Sequence, residues 1–94
     1  MIRRIVRLEF DPDRVEEFKT FFAQNRHLIS AFPGCISLDL FADADNGNVY
    51  YSFSIWENKE ALEKYRDSET FKTLWTFAKA RFSAKPQAFS LISF

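Results

Sequence analysis

The spacing of apolar residues along the chain switches from two to between three and four and back again, and this succession restricts the fold more than any other feature. Residues 2 to 10 alternate, with Val6, Leu8 and Phe10 on one side and Arg3, Ile5, Arg7 and Glu9 on the other, the pattern of a strand with one dry face. Asp11-Pro12-Asp13 then supplies a capping carboxylate, a proline at the first helical position and acids where the helix dipole favours them. A helix is predicted from Pro12 to about residue 31, because Val15, Phe18, Phe22, Asn25, Ile29 and Phe32 follow at spacings of three and four and Phe32-Pro33-Gly34 stops it. From Cys35 the period is two again: Ile36, Leu38 and Leu40 face one way, Ser37, Asp39 and Phe41 the other. The Asp43 to Asn48 stretch is dense in turn formers and returns the chain as a hairpin into a strand from Val49 to Trp56. Asn58 caps a second helical region carrying Ala61, Leu62 and Tyr65, then Phe71, Leu74, Trp75, Ala78 and Phe82, with a break expected near Ser68. Pro86 to Phe94 reads as a last strand.

The order is βαββαβ, and it predicts an α+β, ferredoxin-like domain over residues 1–94, with two helical segments on one face of a four-stranded antiparallel sheet. The other face is expected to carry Arg3, Ile5, Arg7 and Glu9, then Ser37, Asp39 and Phe41, and from the third strand Tyr50, Ser52, Ser54 and Trp56. Large rings among charges of both signs on an open sheet predict a homodimer joined sheet to sheet. Twelve Phe, two Trp and three Tyr in 94 residues are also more aromatic bulk than one small core hides, which points to self-association, a ligand cavity or both.

Other classes are disfavoured. Thirteen basic and thirteen acidic residues leave no net charge, so there is no positive excess for nucleic acid or anionic lipid. No apolar run is long enough to span a bilayer, and Met1-Ile-Arg-Arg leads into a strand pattern rather than a signal-peptide core, so a cytoplasmic protein is expected. The single cysteine, Cys35, and single histidine, His27, form no metal-ligand or nucleophile spacing, and neither a metal nor another cofactor is expected.

Two stretches carry a family resemblance: Phe32-Pro33-Gly34-Cys35, and the run from Tyr51 through Trp56, Glu60-Ala61-Leu62, Tyr65 and Ser68 to Phe71. Together they resemble the antibiotic biosynthesis monooxygenase family over nearly the whole chain. The resemblance implies ferredoxin-type subunits that pair into a dimeric α+β barrel. It also implies a pocket between helices and sheet, in which cofactor-free members oxidise phenols, anthrones or quinols with molecular oxygen. The haem-degrading branch matches poorly: its strand-one Asn falls on Val6, its Trp on Tyr65 and its haem-ligating His on Trp75, and an indole N–H cannot ligate iron.

Within that frame Asn25 and Tyr65 are the expected catalytic residues, and Trp75, Tyr51 and Phe22 the expected walls around a small aromatic ligand. Asn25 puts an amide in the middle of the first helix's apolar stripe, where it can bond a substrate oxygen or a neighbouring element. Tyr65 adds a hydroxyl that needs a partner when buried. His27 lies about 200° around the helix from Asn25, on the polar side, and is expected at the surface. Arg7 and Asp39 read as a charge set at the sheet-to-sheet interface. Two functions stay open: a cofactor-independent monooxygenase, and a non-catalytic ligand-binding or interaction protein on the same fold. A lyase or isomerase is a third class, with little acid or base at the inward positions to support it.

Overall fold

A computed structural model describes residues 1–94. Strand β1, Ile2–Glu9, leads to Asp11, whose carboxylate accepts from the Asp13 N–H at 3.0 Å. Proline at the next position makes a 3-10 turn of Pro12–Arg14, so the α-helix α1 begins only at Val15 and runs to Ser30. Gly34 then takes φ +89°, and a Cβ there would overlap the Ala61 methyl, so glycine is required both by the backbone and by the close approach of the next helix. Strands β2, Cys35–Ala42, and β3, Val49–Trp56, form the expected hairpin. Helix α2, Lys59–Arg66, is capped by Asn58, which accepts from the Ala61 N–H at 2.9 Å. The break at Ser68 is real: its Oγ donates to the Tyr65 carbonyl at 2.6 Å and accepts from the Phe71 N–H at 3.1 Å. One side chain thereby closes α2 and opens α3, Glu69–Lys79. The last strand, β4, is shorter than predicted, Gln87–Leu91, an edge strand paired with β1 alone.

The sheet is antiparallel in the order β2-β3-β1-β4, so the architecture is the expected α+β, ferredoxin-like one. Register decides which side chains face the helices, and here one expectation fails. Leu8 pairs with Tyr50, Val6 with Ser52, Arg4 with Ser54 and Ile2 with Trp56, and paired residues share a face. Tyr50, Ser52, Ser54 and Trp56 therefore lie under the helices, while Tyr51, Phe53 and Ile55 point away. The alternation Val-Tyr-Tyr-Ser-Phe-Ser-Ile-Trp has apolar bulk on both sides, so composition favours the wrong one, whereas burial of Trp56 and Tyr50 beside Leu8 settles it. Ile36 also departs from expectation: an irregularity between Cys35 and Ser37 shifts the pairing and leaves Ile36 exposed.

Two buried clusters mark the ends of the helix-sheet interface. Leu8, Phe10, Val15, Phe18, Tyr50 and Ala78 form one, and Trp56, Leu62 and Tyr65 the other. The outer sheet face carries three rows across β2, β3, β1 and β4: Ser37, Ile55, Arg3, Leu91; Asp39, Phe53, Ile5, Phe89; and Phe41, Tyr51, Arg7, Gln87. Phe41 and Phe89 are 56% and 53% exposed. No helix is long and apolar enough to cross a membrane.

Candidate functional site

A cavity of about 330 Å³ lies between the helices and the sheet, bordered by members of both buried clusters. Its origin is in β3. Tyr50 and Trp56 fill the ends of the inner face, and the two small side chains between them, Ser52 and Ser54, leave the floor open. Ser54 is satisfied, its Oγ accepting from the Trp56 indole N–H at 3.0 Å, which also fixes the indole as the cavity's end wall. Val6, Leu8, Leu38 and Leu40 complete an apolar floor, and the roof comes from all three helices.

Four of the five residues named from sequence, Asn25, Tyr65, Trp75 and Phe22, border this one cavity. Asn25 is half-buried, and its amide N–H donates to the Phe21 carbonyl at 2.8 Å, one turn back. That bond orients the side chain and leaves its carbonyl oxygen without a protein partner, free to accept from a hydroxyl. Tyr65 is buried, stacked on Trp56 with centroids 5.0 Å apart and met edge-on by Phe32 and Phe71, each at 5.3 Å. Its hydroxyl makes no protein hydrogen bond. Burial above all pushes the phenol well above its ordinary pKa, so near neutrality it is protonated, a donor rather than a base. Trp75 stacks on Phe71 at 5.7 Å, and Phe22 tilts against Phe18 at 5.9 Å.

Tyr51 does not join them. It sits on the outer sheet face opposite Arg7 and Phe41, for the register reason given above, and cannot wall the cavity of its own subunit. His27 is exposed and outside the cavity. Cys35 is half-buried and its thiol is pushed up by burial, which keeps it protonated and unreactive. No group of three or more His, Cys, Asp or Glu side chains is placed to hold a metal ion.

Sequence reasoning missed the cavity's charges. Arg4, Arg26 and Arg66 border it, and no Asp or Glu does. The signal for Arg4 was present: it falls in step with Ile2, Val6, Leu8 and Phe10, a cation inside an apolar alternation just as Asn25 is an amide inside an apolar stripe. What the arrangement offers is a slot for flat rings, a free acceptor at Asn25, neutral hydroxyls at Tyr65 and Ser52, and cations, with no carboxylate or imidazole base.

Comparison with known proteins agrees with this architecture. The family model described as antibiotic biosynthesis monooxygenase matches residues 1–74. A crystal structure of an antibiotic biosynthesis monooxygenase superposes with a TM-score of 0.93 at 17% identity, covering 100% of this chain and 99% of that one. A conserved protein from Methanosarcina mazei Go1 superposes with a TM-score of 0.90 at 17% identity, covering 96% and 89%. At these identities the superpositions speak for the fold alone. A curated relative from Synechocystis sp. (strain ATCC 27184 / PCC 6803 / Kazusa), the uncharacterized protein sll1783, is 31% identical over 68 residues, which is 68% of this chain and 44% of that protein. The chain thus matches less than half the length of that relative. With the family model spanning 74 of 94 residues and the fold agreeing end to end, the chain belongs to the antibiotic biosynthesis monooxygenase family.

Proposed function

We propose that residues 1–94 act as one domain, a cofactor-independent monooxygenase for a phenolic, anthrone-like or quinol-type small molecule. The observation that carries this reading is the ring-walled cavity with an unengaged carbonyl at Asn25 and an unengaged hydroxyl at Tyr65. A flat substrate stacks against Trp75 and Phe22, and water is displaced from around its reacting carbon. A methylene between aromatic rings ionises to its extended carbanion, the proton passing to water at the cavity mouth and returning to the peroxide anion formed later, and the carbanion passes an electron to oxygen. The two radicals join as a hydroperoxide, which loses water to leave a carbonyl. One oxygen atom ends in the product and the other in water, and the substrate supplies all four electrons, so the reaction needs no separate reductant. In this scheme Asn25 accepts the hydrogen bond of the enol or phenol hydroxyl, and Tyr65 donates to the developing oxygen anion.

The assembly is read as a cytoplasmic homodimer with outer sheet faces opposed, the compartment being the one an unpaired thiol fits. The outer rows support the pairing, since Phe53, Ile5 and Phe89 make an apolar band flanked by Arg7 and Asp39. A second reading has its own observation in favour: with no carboxylate or imidazole in the cavity, the proton has no strong protein base to receive it, as suits a non-catalytic binding protein. Oxygen-electrode assays with anthrone-like and hydroquinone substrates, chelator present, separate the two. Uptake above the protein-free rate supports the oxygenase; saturable binding with no uptake overturns it and favours the binding protein.

A further inference from the structure

Charge is segregated in the cavity although the chain as a whole carries thirteen basic and thirteen acidic residues. Three arginines border it, none with a carboxylate within 4.0 Å. Arg26 is engaged by the fold, donating to the Leu38 carbonyl at 3.1 Å and lying over the Phe22 ring at 5.4 Å. Arg4 and Arg66 are different. Arg4 rises half-buried from the sheet floor and has one side-chain bond, to the Ser90 hydroxyl at 2.9 Å. Arg66 comes from the end of α2, at the exposed rim, with no side-chain hydrogen bond. Arg4 and Arg66 both border the cavity, and burial first, then the charge of Arg66, lower the Arg4 pKa from its ordinary value. Glu63 and Asp67 share with Arg66 and Phe71 a second depression that adjoins the cavity, and neither carboxylate borders the cavity itself. Two like charges facing one apolar slot are unfavourable unless an anion sits between them. A guanidinium fork is also the side chain best shaped to take a carboxylate through two parallel bonds.

We propose that the cavity selects aromatic ligands that carry a carboxylate, with the acid group held between Arg4 and Arg66 and the rings against the aromatic walls. This rests on the reading of the cavity as an aromatic-ligand site and narrows it to one class.

The test is calorimetric titration of the full chain with two probes of nearly equal shape, 3-hydroxy-2-naphthoate and 2-naphthol. The carboxylated probe is expected to bind about ten-fold tighter or more, with its advantage shrinking as salt rises. Arg66→Gln, on an exposed helix end, and Arg4→Gln, on the floor, are each expected to remove most of that advantage while leaving 2-naphthol binding nearly unchanged. Lys72→Gln, a surface cation of α3 outside the cavity, should change neither probe. Equal affinity for the two probes, or an advantage that survives both arginine substitutions, would overturn the inference while the aromatic-site reading stands. Failure of both probes to bind would overturn that reading and the inference together.

Discussion

Single side chains carry the chemistry proposed here, and two of them were visible as breaks in a pattern. Asn25 interrupts the stripe of Phe18, Phe22 and Ile29, and Arg4 interrupts the alternation of Ile2, Val6 and Leu8; both border the cavity. Asn25 stands out because its neighbours on that stripe are apolar, whereas Arg4 is hidden among Arg3 and Arg7, and only pairing with Ser54 and Ser90 reveals which way it faces. Asn25→Leu removes the acceptor at nearly constant volume and is expected to slow oxygen uptake about 100-fold, with Tyr65→Phe having an effect of similar direction. His27→Ala, a surface change, should leave the rate within a factor of about two. Tyr65 also makes a pH prediction. Its phenol is held above the ordinary value of about 10 by burial, so the folded state keeps a proton that the unfolded chain releases. The associated stability is complete below about pH 10 and is lost as pH rises toward the folded value, at up to about 1.4 kcal/mol per pH unit. Melting curves from pH 9 to 11 should therefore fall more steeply in the wild type than in Tyr65→Phe; parallel slopes would contradict the burial of the phenol.

At the level of elements, the sequence is most legible where local chemistry acts alone and least where a partner strand decides. Capping at Asp11, Asn58 and Ser68 and the stop at Phe32-Pro33-Gly34 all depend on neighbours within a few residues, and each lies where it was predicted. The facing of β3 depends on its register against β1, which no local pattern states when both faces hold rings. The irregularity at Cys35 and Ser37 has the same cause, since it exists only in the pairing with β3. That one error in facing moved Tyr51 into the expected site and concealed Ser52 and Ser54, the small residues that make room for it. Two substitutions test the local devices. Ser68→Ala should cost about 1 kcal/mol, the usual loss for a helix N-cap, seen as a lower urea midpoint with unchanged slope. Gly34→Ala should cost more, because it meets both a positive φ and the Ala61 methyl, and a neutral result would show that the approach of α2 to this turn relaxes freely.

The whole molecule has more apolar surface than it covers. Only twelve of its 94 residues are buried, and the rows through Phe53, Ile5 and Phe89 and through Phe41 and Tyr51 remain open on the sheet's outer face. The aromatic excess in the sequence agrees with Phe41 and Phe89 lying open, whereas the alternation of β3 puts Trp56 on the open face and the structure has it 1% exposed, in the core. Phe89→Asp or Phe53→Asp is accordingly the proper test of pairing, since a charge at Trp56 would unfold the subunit instead. Sedimentation at low micromolar concentration should give about twice the 11.1 kDa chain mass and the chain mass for either variant; a wild-type monomer would refute the sheet-to-sheet dimer. In the proposed function, the cavity beneath the helices is where an aromatic substrate meets oxygen. Its most direct measurement is oxygen uptake under ¹⁸O₂ with an anthrone-like substrate and chelator, comparing the wild type with Asn25→Leu. Uptake is expected with one labelled oxygen in the product and the other in water, slowed about 100-fold by the substitution. Uptake that Asn25→Leu leaves unchanged, or no uptake by the wild type with any such substrate, would contradict the proposed function.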